Sequence, residues 1–166
     1  MYKLAAYICL PFIFMIGCAT TTYKPPKTQL QIREFQTREY DTKDVKMVMK
    51  ALLNVLQDDG YIVKNANVDL GLLSAEKDVD VESKAQAFIC ALLAGQQARW
   101  KKHCILECSG NVSEHGDKTK VRINFQGKTI DNKGAVMAVN QIDDPNFYQE
   151  FFFKVDKGIF IGEQKL

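Results

Sequence analysis

Neither sign of charge dominates this 166-residue sequence, in which 22 Lys and Arg stand against 20 Asp and Glu for a net charge of +2. Recognition of nucleic acid by phosphate neutralisation needs a basic surplus, so DNA and RNA are poorly matched partners. The apolar run over residues 4–16 is about thirteen residues long, against the roughly twenty that a spanning helix needs, and Pro11 interrupts it. Hydrolase elbows, zincin helices, P-loops and dinucleotide-binding glycines are all missing from the sequence, which removes the usual grounds for expecting an enzyme or a cofactor. What is present, 46% hydrophobic and 25% charged residues, fits one folded domain with a single core.

The amino-terminal residues carry the most information. Lys3 supplies a positive start, residues 4–16 an apolar stretch, and Gly17-Cys18 a small-residue cleavage site, the pattern of a secretion signal. Met15-Ile16-Gly17-Cys18 resembles the bacterial lipobox, in which the cysteine is diacylated on sulfur, the signal is cut and the new amino terminus is acylated. Met15 stands where the lipobox usually has Leu, and an ordinary signal peptide is the alternative. The resemblance implies that residues 1–17 are removed, that Cys18 becomes the lipidated first residue, and that the protein stays on its membrane. Each buried methylene contributes about 0.8 kcal/mol and one acyl chain alone is marginal, so several chains at one site give stable anchoring. Cys18 is followed by Ala19 rather than by Asp, which at that position in enterobacterial lipoproteins resembles an inner-membrane retention signal, so the resemblance implies the outer membrane, facing the periplasm. Residues 19–28, ATTTYKPPKT, have no apolar periodicity and contain Pro25-Pro26, so residues 18–28 form an extended tether and residues 29–166 one periplasmic domain.

Within that domain the hydrophobic pattern predicts an α+β fold. Residues 29–40 alternate, with Leu30 and Ile32 opposite Gln31, Arg33 and Phe35, as in a strand. Val45, Val48, Met49, Leu52, Val55 and Leu56 recur every three or four positions between Asp41, an N-cap candidate with Asp44 three positions on, and Gly60, a helix stop. Two short strands follow, residues 61–63 and 68–76, with a turn at 65–67. Ala85, Phe88, Ile89, Leu92 and Leu93 have helical spacing. Alternation over residues 103–112, 120–128 and 135–142, broken by turns at 115–118 and 131–134, predicts a three-stranded meander. Asp144-Pro145 then opens a helix whose stripe is Phe147, Tyr148, Phe151, Phe152 and Val155. The expected order is β-α-β-β-(α)-β-β-β-α: a two-layer sandwich, an antiparallel sheet with two main helices on one face.

The phrase ALLNVLQDDGYIV over residues 51–63, followed by LGLLSA over 70–75, resembles a group of bacterial outer-membrane lipoproteins of uncharacterised role. The resemblance runs over about residues 30–160. The helix, Gly-aromatic turn and Gly-containing return strand are also locally similar to the helix-grip repeats of NlpB/BamC, an accessory lipoprotein of the outer-membrane β-barrel assembly machine. That likeness implies a binding scaffold and carries over no functional residues. Residues 78–102 depart from the compact repeat, which makes their helix a place for a distinct function.

Lipidation of Cys18 and loss of Cys9 with the signal would leave Cys90, Cys104 and Cys108 in an oxidising compartment. Cys104 and Cys108 share one side of a strand at a separation of roughly 13 Å, beyond the reach of a disulfide. Either Cys90 bridges to one of them, or all three are small buried hydrophobes. His103, Cys104, Cys108 and His115 lack the tight-turn Cys-x2-Cys spacing of structural zinc, and His103 points away from both sulfurs, so no metal is expected. Lys118, Lys120, Arg122 and Lys128 read as a solvated sheet face. Phe153 and Phe160 lie outside the stripe of the last helix. With Phe88 and Leu92 of the middle helix, they form the candidate partner surface. The functional expectation is a non-catalytic, membrane-anchored scaffold or accessory subunit of an envelope complex with an envelope protein as partner. The alternative is a lipoprotein that binds a small ligand or a soft metal.

Overall fold

The computed structural model describes residues 27–79, 103–130 and 134–164. Along the chain run α1 (Gln29–Phe35), β1 (Thr37–Tyr40), α2 (Val45–Asp58), β2 (Ile62–Asn67), β3 (Leu72–Val79), β4 (His103–His115), β5 (Lys118–Ile130), β6 (Val136–Gln141) and α3 (Pro145–Gln164). The strands form one six-stranded antiparallel sheet in the order β1-β5-β4-β3-β2, with β6 also paired to β5. With three helices among the described residues the fold is α+β.

The period-two pattern decides which face is covered. On β5, Thr119, Val121, Ile123, Phe125 and Thr129 are buried, while Arg122 between them is exposed. Cys104, Leu106, Cys108 and Val112 of β4 share the buried side. A shift of one residue in register would turn both rows to water, so burial and pairing specify each other. Against these rows pack Val48, Met49, Leu52, Val55 and Leu56 of α2 and Tyr148, Phe151, Phe152, Val155 and Ile159 of α3, all in one core cluster. Phe125 is its centre, with the rings of Phe147, Phe151, Tyr148 and Tyr61 at 5.0, 5.1, 5.7 and 5.9 Å.

Capping fixes where the helices begin and end. Asp44 accepts the Met47 N–H at 2.8 Å at the start of α2. At its end Gly60, at φ 84°, lets its own N–H reach Gln57 and the Tyr61 N–H reach Leu56, the paired bonds of a Schellman stop. Asp144 accepts the Asn146 N–H at 3.0 Å, and Pro145 takes the first helical position of α3, where no N–H is needed. The two helices meet through small residues. A Cβ on Gly158 would sit 3.6 Å from that of Ala51, and one on Gly162 would sit 4.0 Å from Met47 Cγ.

β1 and β6 occupy two halves of the same edge of β5, pairing with residues 119–122 and 126–130. Side chains close the seam between them. The Tyr148 hydroxyl accepts from the Phe125 N–H and from Gln36 Nε2 and donates to the Ile142 carbonyl, each at 3.1 Å. Asn124 Oδ1 accepts from Gln36 Nε2 at 3.1 Å and from Gln141 Nε2 at 2.7 Å. The hydroxyl's one donor and two acceptor sites are thus all used, as a fully buried group requires.

Three expectations need correction. Residues 29–36 are not strand: Thr28 and Gln31 form a reciprocal capping box that starts α1, and Ile32, Phe35 and Gln36 turn inward at helical spacing, leaving only β1 extended. The N-cap of α2 is Asp44 rather than Asp41, which instead pairs with Lys118 at 2.7 Å. The β2–β3 turn falls at 68–71 rather than 65–67, because Asn67 Oδ1 accepts the Leu70 N–H at 2.9 Å and Gly71, at φ 64°, supplies the left-handed step. The observed order of described elements is therefore α-β-α-β-β, then β-β-β-α. The helix expected around residues 85–97 lies outside the described residues.

Candidate functional site

Helical phase separates α3 into two faces. Tyr148, Phe151, Phe152, Val155 and Ile159 turn inward, and Phe153, Lys157, Phe160 and Ile161, at spacings of four, seven and eight from Phe153, turn outward. Phe153 is 61% exposed, Phe160 59% and Ile161 53%. Core packing therefore explains none of these three. Lys157 Nζ lies 5.3 Å from the Phe153 ring centroid, so its aliphatic stem runs along the ridge and its charge caps one aromatic. Ion pairs brace the flanks of α3: Asp156 takes Arg38 at 2.7 Å, and Lys154 takes Asp59. Asp156 also faces the buried Tyr40 hydroxyl. Burial first, and then that carboxylate, push the Tyr40 phenol well above its ordinary range.

At the other end of α3, Lys27 fastens the start of the domain. Its Nζ donates to the Asp143 carbonyl and lies 5.3 Å from the Phe35 ring centroid, and Phe35 stacks at 5.2 Å on Tyr148. The described chain thus begins beside the first turn of α3.

The sheet face that no described helix covers is polar. A depression of about 250 Å³ is lined on this face by the side chains of Lys64, Ser74, Glu76, Glu107, Ser109 and Gln126. Its charges are satisfied within the sheet: Lys64 pairs with Glu76, and Glu107 takes Lys128 and, at 2.7 Å, Gln126. The Lys128 hydrogen bond holds the Glu107 carboxyl below its ordinary range against a smaller opposing effect of burial. Lys118 and Lys120 pair with Asp41 and Glu39, so carboxylates offset three of the four basic residues singled out in the sequence, Lys128 included.

The candidates from the sequence separate accordingly. Phe153 and Phe160, about 10 Å apart along the axis, share one exposed face of α3 with Lys157 between them; Ile161, which the sequence reading passed over, flanks it, and its eight-residue spacing from Phe153 was the available signal. Phe88 and Leu92, Cys90 and the lipidation candidate Cys18 lie outside the described residues. Cys104 and Cys108 are buried free thiols on the helix side of β4, and burial pushes the Cys108 thiol far up. His103, on the opposite side, meets Asp78 at 3.0 Å, and His115 is exposed. Among the described residues no three His, Cys, Asp or Glu side chains gather as metal ligands. No described helix is long and apolar enough to cross a membrane.

No family model matches the chain, and no curated protein matches it. Among solved structures it is similar to a DUF4468 family protein from Bacteroides ovatus, at 8% identity over 81% of this chain and 89% of that chain, with a TM-score of 0.37. A likeness at that level assigns neither a family nor an activity.

Proposed function

We propose that this protein is an acylated envelope lipoprotein, anchored through Cys18 to the periplasmic face of the outer membrane, that works without catalysis as a scaffold or accessory subunit of an envelope complex. The observation that carries the reading is the Met15-Ile16-Gly17-Cys18 lipobox followed by a Pro-containing tether. The exposed ridge of α3 fits it, since large apolar side chains left outside the core mark a surface that meets a neighbouring membrane or protein. The resemblance of residues 51–63 and 70–75 to outer-membrane lipoproteins, and the local helix-grip likeness to NlpB/BamC, fit the same reading.

The test is acyl labelling with palmitate of the native protein beside Cys18→Ser, combined with affinity capture of each from gently solubilised membranes. Label on the native chain alone, with a partner recovered near equal stoichiometry, is the expected result. Equal membrane retention of an unlabelled Cys18→Ser form would remove the anchor. A metal or small molecule carried through purification, with no protein partner, would favour the binding alternative.

A further inference from the structure

We propose that the ridge of Phe153, Phe160 and Ile161 rests on the same bilayer that holds Cys18, so that the helical layer faces lipid and the open sheet face looks away from it. The inference rests on the acylation reading above and names what the ridge meets.

Chain length makes the first argument. Even fully extended, the chain from Cys18 to Lys27 spans no more than about 30 Å. Lys27 is fixed to the Asp143 carbonyl beside the first turn of α3, and that 20-residue helix is itself about 30 Å long. A lipid anchor at Cys18 therefore holds the root of the tether, and the start of the helix that carries the ridge, within about 30 Å of the membrane. Lys27, where the described chain begins, lies against Phe35 of α1 and the foot of α3, on the layer that carries the ridge.

Area makes the second. Three side chains a little more than half exposed present on the order of 300 Å². A stable pairing of two copies or of two proteins buries about 800 Å² on each partner. The ridge is too small for that alone, but it suits shallow insertion at a headgroup boundary, where the acyl anchor already supplies most of the binding and a few aromatic side chains set orientation. Lys157 fits the same surface: its stem lies along the Phe153 ring while its ammonium can reach the phosphate layer.

The test uses the full-length acylated protein in vesicles of phosphatidylethanolamine and phosphatidylglycerol. Phe160→Trp on a Trp100→Phe background puts one indole on the ridge, and lipids brominated along their acyl chains serve as quenchers. Because Phe160 is exposed, the substitution leaves the core intact, which an unchanged unfolding midpoint checks. The expected result is an about twofold loss of emission with brominated lipid and shielding of the indole from aqueous iodide. Free access of iodide with no quenching by lipid overturns the proposal, as does shielding that appears only when a captured protein partner is added. Palmitate labelling of the same sample separates the two readings: labelled and unquenched, the anchor stands and the ridge proposal falls; unlabelled and unquenched, both fall.

Discussion

At the scale of the residue, the most demanding position is Tyr148. Its hydroxyl serves a backbone N–H on β5, the carbonyl of Ile142 and the buried amide of Gln36. Replacement by Phe keeps the ring and its packing on Phe125 but strands those groups in a site that excludes water. Each orphaned buried group costs roughly 1–3 kcal/mol, and partial relaxation brings the expected loss to about 3 kcal/mol. Urea unfolding of Tyr148→Phe should show a lower midpoint with an unchanged slope; a loss below about 0.5 kcal/mol would mean that the seam does not depend on the hydroxyl. The sequence placed Tyr148 on the buried stripe of its helix correctly, because that position follows from local periodicity. It did not identify Gln36 as the partner. The two residues are 112 positions apart, and hydrophobic spacing carries no information about polar contacts at that distance.

At the scale of the element, caps and glycines divide what was legible from what was not. Asp144-Pro145 and Gly60 are helix boundaries written in residue types, and both hold. Residues 29–36 misled because seven helical residues supply too few turns for a period to emerge, and their apparent alternation of Leu30 with Ile32 mixes an exposed side chain with a buried one. The decisive signal was the Thr28–Gln31 capping box. The same reasoning makes opposite forecasts for two glycines. In α3, Gly158→Ala would place a methyl in ordinary contact with Ala51 at 3.6 Å and would remove a flexible helix-interior residue, so it should stabilise by about 0.5–1 kcal/mol. In β4, Gly110→Ala would place one 2.6 Å from Ile123 Cδ1 and 2.9 Å from Leu73 Cγ, so it should destabilise by about 1–3 kcal/mol. Paired thermal unfolding measures both. If the two substitutions shifted the melting temperature in the same direction, the packing of α2 on α3 or of β3 on β5 across Gly110 would differ from that described.

At the scale of the whole molecule, the described helices cover one sheet face and none of them covers the other, and this asymmetry gathers several weak acids in a single core. Tyr40, Tyr61 and Tyr148 are buried with Cys108 behind one helical layer, and burial is the largest cause of the raised pKa of each. Ordinary values for these groups are 10.0 for the tyrosines and 9.0 for the thiol. In the folded protein they keep their protons past those values, whereas in the unfolded chain they release them there. Once pH passes 9.0 and then 10.0, the unfolded state binds fewer protons than the native state, so the stability that is fully present below this window declines as pH rises. The loss comes from several groups in one cooperative unit and should therefore be steep. Urea midpoints should stay level from neutral pH to about 9 and fall above it, with tyrosinate absorbance from the core appearing together with the loss of structure rather than before it. A smooth tyrosinate titration completed while the fold is intact would place these phenols in contact with water and would contradict the covered face on which the α3 ridge is built.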